Sequence, residues 1–194
     1  MDYERSADHG APKALKIIIG GGFGVGKTTA VGAISEISPL TTEAEMTALS
    51  IGVDDPGYEP DKVTTTVAMD FGRVTIDDGM KLYLFGTPGQ HRFGFMWDDL
   101  TLGAIGAVVV VDSRRLEDCH VAVDYFEHAR LPLVIAVNAF DGRLAHDLGE
   151  IRWALAVADD VPVVAFDARV RGSVRDTLLT LLDQALLDAY RAAS

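Results

Sequence analysis

The chain has 194 residues, with 17 Lys and Arg against 29 Asp and Glu, a formal charge of −12. At 48% hydrophobic and 24% charged residues it has the composition of one globular domain with a real core, which excludes disordered and collagenous classes. The acidity argues against a nucleic-acid binder, whose footprint on phosphates needs clustered Lys and Arg. A single cysteine, Cys119, excludes an internal disulfide framework and a cysteine-rich zinc site.

Residues 1–14 mix Asp, Glu, Arg and Lys with no apolar stretch, so they read as a flexible N-terminal tail rather than a signal peptide. Residue two is Asp2 and the chain ends Ala-Ala-Ser, so no lipidation motif is present. No run reaches the ~18 apolar residues of a membrane span. These features predict a cytoplasmic protein in which residues 15–194 form a single domain, recruited to a membrane only peripherally, through partners.

Nearly continuous apolar runs at Leu15–Ile19, Leu82–Phe85, Ala107–Val111, Leu133–Val137 and Val161–Ala165 predict strands buried on both faces of a parallel sheet. Thr65–Thr75 alternates Val67, Met69 and Phe71 with Ala68 and Asp70 and predicts a half-exposed strand near an edge, giving six strands. Helices are predicted at Thr28–Ile37, Trp97–Leu102, Cys119–Ala129, Asp147–Val157 and Val174–Arg191. Residues 39–62, rich in Thr, Glu, Asp, Pro and Gly, read as one long irregular loop.

Directly after the first strand stands Gly21-Gly22-Phe23-Gly24-Val25-Gly26-Lys27-Thr28, a full G-x-x-x-x-G-K-[ST] match followed by a helix. The glycines let successive backbone N–H groups converge on phosphate oxygens, and the helix N-terminus adds its partial positive charge. Lys27 is placed to reach the β- and γ-phosphates and Thr28 to put its hydroxyl on Mg²⁺. A chain at −12 thus holds a polyanion through backbone dipoles, one lysine and a divalent ion. Gly22 through Thr29 are the candidate binding residues of this loop.

Three further segments follow: Thr-Thr-Thr-Val-Ala-Met-Asp-Phe at 64–71, Leu-Phe-Gly-Thr-Pro-Gly-Gln-His-Arg-Phe at 84–93, and Asn-Ala-Phe-Asp at 138–141. With them the sequence resembles the Ras-like small GTPases, and within these the bacterial branch containing the gliding-motility GTPase MglA and the actinobacterial conservon-D family. The phrases GGFGVGKTT, TTTVAMDFG, LYLFGTPGQHRF and AVVVVDSRR carry the likeness over about residues 15–190. The resemblance implies an α/β fold, a three-layer αβα P-loop NTPase of Ras-like G-domain type. Its sheet would be six-stranded and mostly parallel, with one antiparallel edge strand. Gly89 would then be the switch II glycine whose N–H meets the γ-phosphate, and Gln90 the residue that orients the attacking water. Thr66 would bind Mg²⁺ and γ-phosphate from switch I, with Thr64 and Thr65 leaving the register open by one or two.

Asp141 has a physical task independent of any family. A carboxylate can accept from guanine's ring N–H and exocyclic amine together, and adenine presents no such donor pair there. The resemblance further has Asn138 bracing the phosphate loop, Ala168 offering its N–H to the base oxygen, and Arg169 stacking on the base.

Three departures stand out. The acid that ordinarily ends the strand before switch II is Gly86, which weakens the expected metal site; Asp112 and Asp70 are read as decoys for it. The lysine that usually packs over the base is Ala139. Thr28 and Thr66 lie 38 residues apart, leaving an acidic switch I insert at 39–62 that holds Glu43, Glu45, Asp54, Asp55, Glu59 and Asp61. Arg92 is the only nearby candidate for a cis arginine finger. Phe93, Phe95, Met96 and Trp97 read equally as core packing or as a partner surface.

The sequence thus predicts a GTP-binding switch with slow Mg²⁺-dependent hydrolysis to GDP and phosphate. The resemblance adds protein regulators: a roadblock-type protein, and sensor-kinase-like or pentapeptide-repeat partners. The alternatives are a P-loop ATPase and a nucleotide-loaded scaffold that does not hydrolyse.

Overall fold

A computed structural model describes residues 12–38, 40–47, 64–89 and 96–193. The elements are β1 (Lys13–Gly20), α1 (Lys27–Ile34), β2 (Leu40–Thr47), β3 (Thr64–Asp77), β4 (Met80–Gly86), α2 (Trp97–Thr101) and β5 (Gly106–Val111), followed by α3 (His120–His128), β6 (Leu133–Asn138), α4 (Leu148–Ala154), β7 (Val163–Phe166) and α5 (Arg171–Ala193). One sheet runs in the order β2-β3-β4-β1-β5-β6-β7.

The apolar runs explain the centre of that order. β1 ends in four buried residues, and all six residues of β5 and of β6 are buried, as strands covered on both faces must be. β1 pairs in parallel with β4 on one side and β5 on the other. The loop after β1 therefore opens at the carboxyl edge of the sheet with a strand on each side, where open α/β sheets bind ligands. Helices cover the sheet: α1 and α5 pack on each other, and α2 meets α3 where Trp97 stacks on Phe126 with centroids 5.8 Å apart. The three-layer α/β class expected from the sequence is the one observed.

The strand count is not. All six predicted strands form, but a seventh, β2, arises inside the stretch read as an irregular loop. It pairs antiparallel with β3, and β3 in turn pairs antiparallel with β4. β3 is thus the one strand running against the rest, and it lies inside the sheet rather than at its edge. The N-terminal boundary also shifts, because Lys13 and Ala14, assigned to the tail, already belong to β1, pairing with Met80 and Lys81. Residues 1–11 and 48–63 lie outside the described residues.

Trp97 settles one of the two readings of the aromatic cluster. It is 3% exposed and packs edge-on against Tyr125 as well as stacking on Phe126, so it belongs to the core. Phe93 and Phe95 lie outside the described residues.

Candidate functional site: a phosphate cleft joined to a base loop

α1 and α4 show what the glycine loop achieves. The N-terminus of α4 is closed by a capping box, with Asp147 accepting from the Glu150 N–H and Glu150 reaching back to the Asp147 N–H. α1 starts instead at Gly26, whose φ of 112° no other residue adopts comfortably, and no side chain caps it. Its first-turn N–H groups are left for an external anion. A Cβ at Gly26 would also stand 2.6 Å from Asn138 Nδ2, so the position is glycine for space as well as for backbone angle.

Lys27 opens α1 and is 8% exposed. Its ammonium donates to the carbonyls of Gly21 at 2.9 Å and Gly22 at 2.5 Å, curling back along the loop. Burial pushes its pKa down to about 8, with the negative charge of Asp70 acting in the opposite sense. Below about pH 8 the ligand-free site holds a full positive charge; above it the amine is neutral, and a bound phosphate must restore the proton. Nucleotide affinity is therefore expected to fall as pH rises through 8, by up to about tenfold per pH unit. Calorimetry in two buffers of different ionisation enthalpy would show proton uptake on the alkaline side. An affinity unchanged between pH 7 and pH 9 would contradict this.

Facing the loop is the turn after β4. Gly89 lies so close to Lys27 Nζ and the Gly22 carbonyl that no side chain fits there. The resulting 390 Å³ cleft is lined by Phe23, Gly24 and Gly26 to Thr29 on one side, and by Asp70, Thr87 and Gly89 on the other. A larger groove of 530 Å³ beside α4, lined by Trp153, Ile151 and Leu116, is mostly apolar and has no phosphate-binding loop. The polar cleft is the site.

The base loop is tied to this cleft by one side chain. Asn138, at the end of β6 and 5% exposed, donates from Nδ2 to the Val25 carbonyl at 2.9 Å and accepts at Oδ1 from the Ala168 N–H at 3.2 Å. It joins phosphate loop, base loop and the loop after β7. The Ala168 N–H, expected to face a base oxygen, is thus engaged by Asn138 in the ligand-free protein. Asp141 sits in the left-handed region at φ 55° with its carboxylate 93% exposed. It faces Arg169 Nη1 at 3.6 Å; Arg169 also holds Asp167 at 3.1 Å.

Three residues gain importance that the sequence reading did not give them. Asp70, dismissed as a decoy, lines the cleft and accepts a 2.6 Å hydrogen bond from the Thr28 hydroxyl. Arg114 makes a two-pronged contact with Asp112 at 2.8 and 2.7 Å, and its guanidinium lies 4.1 Å from the Phe140 ring centroid, buttressing the base loop. Arg115, 92 residues further along the chain, donates to the Phe23 carbonyl at 3.3 Å and so sets a guanidinium against the phosphate loop. Paired arginines after a strand that ends in an acid were the available signal for these last two. Asp112 is fully buried, and its carboxyl is held below the usual range chiefly by hydrogen bonds from Arg114; it is committed to the arginines and does not line the cleft. Thr66 lies in β3 with its backbone opposite Glu45. Gln90 and Arg92 lie outside the described residues. Among the described residues no group of three or more His, Cys, Asp or Glu could hold a metal.

The class follows from the phosphate loop and the fold: this is a nucleotide-binding P-loop NTPase. Residues 19–187 match the family described as "conserved hypothetical ATP binding protein", and the chain belongs to that family. It is 36% identical over 78 residues to an uncharacterized protein of Methanocaldococcus jannaschii, a match covering 39% of this chain and 50% of the relative, so the chain aligns with half the length of that curated protein. In solved structures it is similar to the cytosolic domain of the T. maritima FeoB iron transporter, with a TM-score of 0.62 at 19% identity over 89% of this chain and 64% of that one. The G domain of FeoB from Methanococcus jannaschii aligns with a TM-score of 0.57 at 17% identity, covering 89% and 98%. At these identities the likeness is one of fold. No helix of the described residues is long and apolar enough to cross a membrane.

Proposed function

We propose that the protein is a GTP-binding switch that hydrolyses GTP slowly, with Mg²⁺, to GDP and phosphate. The observation that carries this reading is Asn138, which fastens the phosphate loop to the end of β6, three residues before Asp141, whose carboxylate stands exposed. Loop N–H groups and Lys27 hold the β- and γ-phosphates, and Asp141 takes the guanine edge. Gln90 orients a water whose oxygen attacks the γ-phosphorus as the bond to the GDP oxygen breaks, while Gly89 offers its N–H to the γ-oxygens. The divalent ion, when bound, neutralises charge on the phosphate oxygens; Thr28 and Thr66 would hold it. The hard oxygen donors of the cleft suit Mg²⁺ and not a softer metal. Turnover without a partner is expected on the order of 10⁻⁴ to 10⁻² per second.

The switch role, with protein regulators reading the nucleotide state, and placement in the MglA and conservon-D branch rest on the sequence phrases quoted above. So do the roadblock-type, sensor-kinase-like and pentapeptide-repeat partners, while the cytoplasmic location rests on the composition and on residues 1–14 reading as a tail rather than a signal peptide. A second reading, an ATPase, is favoured by Ala139, which leaves the base without its usual lysine cover, and by the name of the matching family. Denaturing the purified protein and identifying the released nucleotide separates the two. Guanine nucleotide is expected, and adenine nucleotide alone would overturn the GTP reading.

A further inference from the structure

We infer that Arg114 is a positioning residue for base selectivity: gripped by Asp112 after β5, it fixes the Phe140 ring and thereby the place of the Asp141 carboxylate. Its role rests on the GTP reading of the site, in which Asp141 takes the guanine edge. Asp112 is fully buried, and a buried carboxylate must be paired and hydrogen-bonded. Arg114 supplies three donors, its backbone N–H at 3.0 Å, Nε at 2.8 Å and Nη2 at 2.7 Å. A guanidinium held by two of its own N–H groups has its plane fixed, which leaves a flat face for an aromatic ring. That ring is Phe140, whose centroid lies 4.1 Å from Arg114 Cζ.

Phe140 opens the tight turn in which Asp141 stands at φ 55° and Gly142 at φ 74°. A turn with two successive left-handed residues takes its direction from its anchors. Upstream, the Ala139 N–H donates to the Phe166 carbonyl at 2.7 Å; downstream, the Ala145 N–H donates to Ser113 Oγ at 3.2 Å. Ala139 brings only a methyl group, so Phe140 is the side chain that steadies the turn next to Asp141. Ser113 and Arg114, adjacent in the chain, thus hold the base loop at two points. Arg115 shares the same carboxylate, with Nε 3.7 Å from Asp112 Oδ2, but serves the other end of the site. Its Nη2 donates to the Phe23 carbonyl at 3.3 Å and stands 3.7 Å from where a Cβ on Gly24 would be. One buried acid therefore orders two arginines, one for each loop. Arg114 acts on the base end, and Arg115 on phosphates common to every nucleotide.

The test reads base preference, which a loss of stability alone does not move. Dissociation constants of mant-labelled GDP and ADP are measured by fluorescence in the presence of Mg²⁺, and the wild type is expected to prefer GDP. Arg114→Ala is expected to weaken GDP by roughly fivefold to twentyfold and ADP by less than about twofold, so the preference falls by nearly the same factor. Phe140→Leu leaves the pair of Asp112 and Arg114 intact and should give the same fall, whereas Phe140→Tyr keeps the ring and should keep the preference. Arg115→Ala should weaken both nucleotides alike. In an Asp141→Ala background, Arg114→Ala should have no further effect on GDP, because the residue through which it acts is gone; effects that add would overturn the role. A wild-type preference for GDP that survives both Arg114→Ala and Phe140→Leu overturns the role of Arg114 and leaves the GTP reading standing. A wild type with no preference for GDP overturns the GTP reading and the role with it.

Discussion

Asp141→Asn is expected to convert a guanine site into a xanthine site. On the proposed GTP reading the wild-type carboxylate would accept two charge-assisted hydrogen bonds from guanine, each worth about 1.5–3 kcal/mol, so GTP affinity should fall by about a hundredfold or more. Xanthine carries an oxygen where guanine carries its amine, and the asparagine amide can donate to it; XTP should then bind better than GTP. The structure makes this substitution unusually clean. Asp141 adopts φ 55°, and Asn is among the residues that best tolerate the left-handed region, so the backbone has no reason to move. The ion pair to Arg169 spans 3.6 Å between exposed groups, and such pairs contribute about 0–1 kcal/mol. Folding stability should be close to wild type, and equilibrium binding of labelled GTP, ATP and XTP is the measurement. Unchanged GTP selectivity would remove Asp141 from base recognition.

Asn138→Ala should do the reverse, costing stability first and selectivity second. The side chain is buried, and its removal strips the Val25 carbonyl and the Ala168 N–H of their partners at once. Losing a hydrogen bond and orphaning its buried partner costs about 1–3 kcal/mol each, so roughly 2–4 kcal/mol is expected after partial relaxation. For a domain of this size that corresponds to a melting temperature lower by about 5–15 °C. The same cut separates the base loop from the phosphate loop, so nucleotide should stabilise the variant less than it stabilises the wild type. Thermal unfolding with and without nucleotide measures both effects. A variant as stable as wild type would mean that Asn138 is not the tie described.

What the sequence made legible is what local chemistry dictates. Buried strands announce themselves as unbroken apolar runs, so β1, β5 and β6 were placed to within a residue or two. The phosphate loop was readable because backbone angles demand glycine at fixed spacings. β2 was missed because Thr and Glu residues gave its stretch a loop-like composition. The alternation Leu40, Thr42, Ala44, Met46 against Thr41, Glu43, Glu45, Thr47 was the signal present. The place of Asp70 in the cleft was passed over for a different reason. It depends on a cross-strand pairing with Gly86, 16 residues further along the chain, and a motif search along one strand sees only that strand's missing acid. The engagement of Ala168 by Asn138 is likewise tertiary.

β2 carries one more consequence, for how copies of this protein meet one another. By pairing with β3 it covers the strand that would otherwise end the sheet, and so becomes the outer strand on that side. An open strand edge is a template on which another chain's strand can add, the usual start of sheet-to-sheet aggregation. This edge strand has only eight residues and holds Glu43 and Glu45, in a chain already at −12. Two such edges approaching each other bring like charges together, which opposes growth of the sheet from copy to copy and favours solubility. The acidity that argues against a nucleic-acid partner also disfavours strand addition at β2.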